Sequence, residues 1–80
     1  MAIRVLFLGP LQDSAGAPER ELPAPLDWQG LLDALDPVTA EELREGRVHI
    51  ACRGRVLADR TSLQAEDGDE VALLPPVSGG

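Results

Sequence analysis

The sequence contains no lysine and no tyrosine, and it has only one cysteine and one histidine among its 80 residues. Without lysine, no side-chain amine is available for Schiff-base chemistry or for branching through isopeptide bonds. The lone thiol of Cys52 cannot form a disulfide within the chain, so nothing here requires an oxidising compartment. One cysteine and one histidine cannot supply a zinc site by themselves. We therefore expect His49 and Cys52 to be ordinary strand residues and not ligands or nucleophiles.

Long apolar runs are also missing. No stretch approaches the roughly 20 apolar residues that a membrane-spanning helix needs. The N-terminus (Met1 to Arg4) goes directly into a strand-like pattern, without the basic and apolar regions of a signal peptide. Hydrophobic residues nevertheless make up 44% of the chain, which is enough for the core of one small domain. These features predict a single cytoplasmic domain without a membrane segment.

Basic charge is scarce: the formal net charge is −7, and all seven basic residues are arginine. An acidic chain cannot displace the counterions around phosphates, which argues against nucleic acid as a partner. The charge favours a basic partner surface, although solubility alone would also explain it. No glycine-rich loop has the spacing of a phosphate-binding motif. The acidic pairs lack the spacing of a calcium loop.

The apolar pattern predicts an α+β fold in which one main helix packs across one face of a mixed sheet. Strands are predicted at residues 3–8, 19–22, 48–52, 56–57 and 70–74, a main helix at 28–35 capped by Asp27, a short helix starting at Thr39, and turns at 13–18, 53–54 and 67–69. By the two-residue period of a strand, the first one divides between a face of Ile3, Val5 and Phe7 and a face of Arg4, Leu6 and Leu8. The second face therefore becomes apolar toward the strand's end and is left open to solvent or a partner.

The last residues of the sequence suggest chemistry at the main chain. Pro75-Pro76 predicts a stiff, extended exit from the last strand. Gly79-Gly80 has no side chains and could enter a narrow channel that any Cβ would obstruct. A terminal carboxylate at Gly80 is a poor electrophile until it is activated, most simply as an acyl-adenylate that a partner makes with ATP. Sulfide transfer would then give a thiocarboxylate, a good sulfur nucleophile carried on a mobile arm.

The first strand (IRVLFL), Leu63 and the run DGDEVALLPPVSGG together resemble the small subunit of molybdopterin synthase. That family consists of ubiquitin-like sulfur carriers with a β-grasp fold, which implies a domain at residues 1–75 and a flexible tail at 76–80. The resemblance implies that an E1-like enzyme adenylates Gly80 and that a sulfurtransferase or cysteine desulfurase system forms the thiocarboxylate. The large synthase subunit, in a heterotetramer of two small and two large subunits, then uses it to sulfurate cyclic pyranopterin monophosphate.

The resemblance also implies roles for individual residues. Val77, Ser78 and Gly79 would lie in the partner's channel, while Leu6, Leu8, Leu74 and Pro75 would form a patch that faces the partner. No cofactor would be bound permanently, and ATP would be used by the activating enzyme. The sequence departs from the family at Cys52-Arg53-Gly54, where an asparagine commonly precedes the turn.

Three alternatives stay open on the sequence. The chain could be a related carrier that serves thiamine, tRNA thiolation or cysteine synthesis, although Pro75-Pro76-Val77 favours the molybdopterin family. It could also be a ubiquitin-like tag that is joined to lysines of target proteins. The last alternative is a plain binding module whose terminal glycines have no function.

Overall fold

The structure, a computed structural model, describes residues 2–75 and contains one five-stranded and one two-stranded sheet. In chain order the elements are β1 (Ala2–Phe7), α1 (Leu11–Ala15), β2 (Glu19–Pro23), β3 (Leu26–Asp27), α2 (Trp28–Ala34), α3 (Pro37–Arg44), β4 (His49–Cys52), β5 (Arg55–Val56), a 3₁₀ turn (Arg60–Ser62), β6 (Gln64–Ala65) and β7 (Glu70–Leu74). The large sheet has the order β2-β1-β7-β4-β5, while β3 pairs with β6. Among the described strands, β1 and β7 pair in parallel and their other partners are antiparallel. This mixed sheet packed against helices is the predicted β-grasp fold.

The first strand has the two faces that its sequence predicts. Ile3, Val5 and Phe7 are almost fully buried, whereas Arg4 is exposed and Leu6 is half-buried. In β7, Val71 and Leu73 are likewise fully buried between less buried neighbours. The buried residues of both strands point toward the helices, so we call this side of the sheet the covered face and the other side the open face.

The main helix forms as predicted, with Asp27 as its N-cap. The Asp27 carboxylate accepts a hydrogen bond from the Gly30 amide at 2.8 Å, which satisfies one of the free donors of the first turn. Along this helix Trp28, Leu31, Leu32 and Leu35 have the i, i+3, i+4, i+7 spacing of an apolar stripe, and the three leucines are buried in the core. The fourth member of the stripe, Trp28, is half-buried and packs against that core, with the Arg60 guanidinium 5.7 Å from its ring centroid.

The predicted start of the short helix at Thr39 is wrong. Helix α3 begins at Pro37, and Asp36 is its N-cap. The Asp36 carboxylate accepts hydrogen bonds from the Thr39 amide at 3.1 Å and from the Thr39 hydroxyl at 2.7 Å. Burial opposes the charge of Asp36, but these hydrogen bonds outweigh it and lower the pKa of Asp36 below its ordinary value. A proline, with its fixed φ, suits the first helical position. Pro37 therefore begins the helix, and Asp36, the residue before it, is the N-cap.

The loop predicted at residues 13–18 is also partly wrong, because the structure contains the helix α1 there. Leu11 of α1 is buried in the core, and Gly16 ends the helix in the left-handed conformation with φ 79°. A helix of five residues is too short to produce a periodic pattern, so it could not be predicted from hydrophobic spacing. The small sheet of β3 and β6 escaped prediction for the same reason. Strand β2, which ends at Pro23, lies at the sheet edge, where proline is tolerated although it cannot donate to the ladder.

Candidate functional site

The open face carries an apolar row that crosses four strands. In the strand register, Leu6 lies opposite Ala72, Ala72 lies opposite Ala51, and Ala51 lies opposite Val56. Opposite residues on paired strands point to the same face, so these four side chains are neighbours. Val56, at the sheet edge, is 58% exposed although it is apolar. We call Leu6, Ala72, Ala51 and Val56 the apolar strip.

A second apolar pair lies beside the strip, at the end of the sheet where β7 finishes. The Leu8 amide donates to the Leu73 carbonyl at 3.3 Å, so the parallel register continues and places Leu8 beside Leu74. Leu8 is 37% exposed and Leu74 is half-buried. His49, which is exposed, lies opposite Leu74 on β4. The structure thus brings the predicted residues Leu6, Leu8 and Leu74 together on one face.

Pro75 is held close to the turn that follows β1. Gly9 has φ 59°, in the left-handed region that favours glycine. A Cβ added to Gly9 would lie only 3.2 Å from Cγ of Pro75. The Pro75 ring therefore lies against the Gly9 backbone, next to Leu8 and Leu74. The predicted patch of Leu6, Leu8, Leu74 and Pro75 is contiguous in the fold, and the chain leaves the sheet at this apolar end.

The opposite end of the open face is charged. Arg4 lies opposite Glu21 on one side and opposite Glu70 on the other. Its guanidinium makes ion pairs with Glu19, at 3.2 Å from Nε, and with Glu70, at 3.8 Å from Nη1. These side chains are more than half exposed, and exposed pairs contribute only about 0–1 kcal/mol to stability. We call Arg4, Glu19, Glu21 and Glu70 the charged row.

The departure from the family at Cys52-Arg53-Gly54 leaves the turn in place. Arg53 and Gly54 have φ values of 57° and 79° and form a two-residue turn between β4 and β5. Left-handed backbone is costly for arginine, but Arg53 donates from Nε to Asp69 at 2.9 Å and from Nη2 to Glu66 at 3.3 Å. The Arg53 hydrogen bond, and then that from the Glu66 amide, lower the pKa of Asp69 below its ordinary value. These contacts link the β4–β5 hairpin to the turn that precedes β7.

Cys52, like His49, lies in strand β4. Cys52 lies opposite Val71, on the covered face, and packs against the core. Burial, and then the Asp69 carboxylate, raise the pKa of the Cys52 thiol, so the thiolate nucleophile is disfavoured. Within residues 2–75, no three side chains of His, Cys, Asp and Glu are grouped closely enough to hold a metal ion. In that same part of the chain, no helix has the length and hydrophobicity to cross a membrane.

Sequence reasoning missed three of the four residues of the apolar strip. Ala72 could have been assigned to the open face from the alternation in β7, where it lies between the buried Val71 and Leu73. Ala51 and Val56 could not, because their position depends on how β4 pairs with β7 and β5. The predicted tail residues Val77, Ser78, Gly79 and Gly80 lie outside the residues that the structure describes, as does the proposed tail boundary after residue 75.

The comparison with protein families gives a match to the ThiS family over residues 5–80. A search of curated protein sequences finds no match.

Two solved structures are similar over the full length of both chains. One is SAMP1 from Haloferax volcanii, with 26% identity and a TM-score of 0.73. The other belongs to a complex of subunits 1 and 2 of the molybdopterin-converting factor from Helicobacter pylori 26695, with 29% identity and a TM-score of 0.68. A chain of the BexX/CysO complex from Amycolatopsis orientalis has a TM-score of 0.74 at 17% identity, with 99% of this chain and 100% of that chain covered. At this identity the third similarity concerns the fold alone.

Proposed function

Because the chain belongs to the ThiS family of ubiquitin-like sulfur carriers, we propose that it is the sulfur carrier subunit of molybdopterin synthase. The observation that carries this proposal is the 29% identity, over the whole of both chains, to a structure from the molybdopterin-converting factor. That structure is a protein–protein complex of two subunits, which supports a partner protein for this chain as well.

In the proposed reaction the folded domain delivers the carboxyl group of Gly80. An E1-like enzyme in the cytoplasm transfers the adenylyl group of ATP to this carboxylate and releases pyrophosphate. Sulfide supplied by a sulfurtransferase or cysteine desulfurase system then attacks the acyl carbon, the bond to AMP breaks, and a thiocarboxylate is left. In the large synthase subunit, the thiocarboxylate sulfur forms a bond to a side-chain carbon of cyclic pyranopterin monophosphate and replaces one oxygen, which leaves as water. Hydrolysis of the acyl–sulfur bond returns Gly80 to the carboxylate, and a second carrier supplies the second sulfur in the same way. This is covalent catalysis with the nucleophile on the main chain.

The open face supports this role by its position. The apolar strip and the patch of Leu6, Leu8, Leu74 and Pro75 border the point where β7 ends. A partner that buries this patch would receive residues 76–80 at its own surface, where Val77 to Gly80 span at most roughly 13 Å. Fixing the domain on the partner converts the encounter of the carboxyl group with its target into a local event.

Deletion of Gly80, or extension of the chain by two residues after it, tests the proposal. Both changes remove the carboxyl group from its position, so we expect no thiocarboxylate and no sulfur transfer in a reconstituted synthase assay. Thiocarboxylate formation is detected by the mass of the intact protein, which increases when one oxygen is replaced by sulfur. The same two residues added before Met1 are the control and should leave both steps unchanged. Full sulfur transfer by the chain extended after Gly80 would contradict the proposal.

A second candidate function is that of a protein modifier. A similarity to small archaeal modifier protein 1 of H. volcanii favours it, with 25% identity, a TM-score of 0.65, and 95% of this chain and 98% of that chain covered. A modifier would be joined through Gly80 to amino groups of target proteins and would accumulate as isopeptide-linked adducts in cells. A carrier for thiamine, tRNA thiolation or cysteine synthesis would instead form the thiocarboxylate without converting the pterin. Reconstitution with the separate acceptors distinguishes these functions.

A further inference from the structure

The open face is asymmetric along the direction of its strands. The end next to Pro75 carries Leu8 and Leu74, and the apolar strip runs just beside them. The far end carries the charged row, in which Arg4 lies between Glu21 and Glu70. Glu19 borders both regions, because it lies opposite Leu6 and is paired with Arg4. Apolar and charged side chains are thus separated on one surface.

The charged row is acidic in sum. Three carboxylates, those of Glu19, Glu21 and Glu70, face the single guanidinium of Arg4, which gives a local net charge of −2. Arg4 is engaged by Glu19 and Glu70, so its charge is already partly neutralised. A surface that approaches the open face therefore meets excess negative charge at the end far from Pro75, in addition to the net charge of −7 of the whole chain.

Apolar contact alone does not determine the orientation of a partner on this face. The hydrophobic effect is non-directional, so the strip could be covered in more than one orientation. Charge is different, because a carboxylate pressed against an apolar or acidic surface loses its hydration without compensation. Complementary charge at one end would therefore set the orientation and also speed the encounter. Only one orientation would point residues 76–80 at the partner's active site.

We propose that the charged row is the orienting half of the docking face and binds a partner protein that presents lysine or arginine side chains beside an apolar patch. The inference rests on the proposed function, because it takes the partners to be the large synthase subunit and the adenylating enzyme. It adds Glu19, Glu21 and Glu70 to the contact surface, none of which the sequence singled out.

A matched pair of charge reversals tests the proposal. Glu19 is 54% exposed and is paired with Arg4 at 3.2 Å, while Glu41 on α3 is 61% exposed and is paired with Arg44 at 3.6 Å. Glu19→Arg and Glu41→Arg each lose one negative and gain one positive charge, so both change the net charge from −7 to −5. Helix α3 packs on the covered side through Leu43. The two variants thus differ in the location of the charge and not in its amount.

The association rate constants of the wild type and both variants are measured by stopped flow with the large synthase subunit, at low and high salt. The adenylating enzyme forms a second arm with the same three proteins. We expect Glu19→Arg to associate about tenfold more slowly at low salt, with a gap to Glu41→Arg that closes as salt screens the charges. Circular dichroism melting curves should show all three proteins folded.

Equal slowing of both variants would overturn the proposal, because it would mean that only the net charge matters. The absence of any slowing by Glu19→Arg would overturn it as well. If the wild type does not bind the large subunit, the proposed function fails, and the adenylating-enzyme arm alone decides whether the charged row orients a partner. If the wild type binds neither protein, both proposals fail.

Discussion

The two faces of the central sheet are built from the same strands but differ in how deeply their side chains are buried. On the covered face, Phe7 is 1% exposed and Leu73 is fully buried. The residues that follow them in the chain, Leu8 and Leu74, are apolar too, yet Leu8 is 37% exposed and Leu74 is half-buried on the open face. Similar side chains one position apart thus either fill the core or remain available at the surface.

This difference separates stability from function. Burial of the covered face removes large apolar side chains from water and drives folding. The apolar side chains of the open face gain less from folding, and contiguous exposed apolar surface typically marks an interaction site. We therefore expect mutations on the covered face to destabilise the domain. Mutations on the open face should instead weaken its binding to partners.

The largest expected effect on stability comes from Phe7→Ala. Its side chain lies in the core of the covered face, so the free energy of unfolding should fall by about 3–5 kcal/mol. Leu6→Ala, one residue away on the open face, should cost only about 1 kcal/mol. Chemical denaturation of both variants measures the two losses. Equal losses would show that the open face contributes to the core and that the comparison between the faces is wrong.

The next effect concerns binding. Leu74→Glu places a carboxylate within the patch, where burial would leave the charge unpaired, so affinity for the large subunit should fall about thirtyfold. Its melting temperature should change little. Val38→Glu is the control, because Val38 is an exposed apolar residue on α3, away from the open face. An isothermal titration in which the two variants bind equally well would show that Leu74 lies outside the interface.

The smallest effect is expected at the β4–β5 hairpin, where Arg53 is hydrogen-bonded to Asp69. The pKa of Asp69 is lowered in the folded protein, so its charged form stabilises the fold above the ordinary aspartate pKa. This contribution is lost as the pH falls through the lowered pKa. Urea denaturation at several acidic pH values should therefore show the wild type losing its advantage over Asp69→Asn. Asp67→Asn, in the same turn, controls for the substitution. A stability difference between wild type and Asp69→Asn that does not change with pH would contradict this role of the Asp69 charge.

Local features of the sequence were sufficient where the physical cause is local. The alternation in β1 identified its buried and open sides, because side-chain direction in a strand depends only on position. The cap at Asp27 was predictable, since a cap bonds an amide three residues ahead. The start of α3 was predicted wrongly, although its cause is also local. Asp36 and Thr39 both qualify as N-caps, and the proline between them favours Asp36 because proline suits the first helical position.

The sequence by itself determined that the chain has enough apolar residues for one core and which residues of the first strand share a face. Only the tertiary structure decided that the four residues of the apolar strip lie side by side, and that Arg4 lies among Glu19, Glu21 and Glu70 in the charged row. The physical reason is that strand register joins residues far apart in the chain. The register depends on how the whole covered face packs, and no short segment of the sequence contains that information.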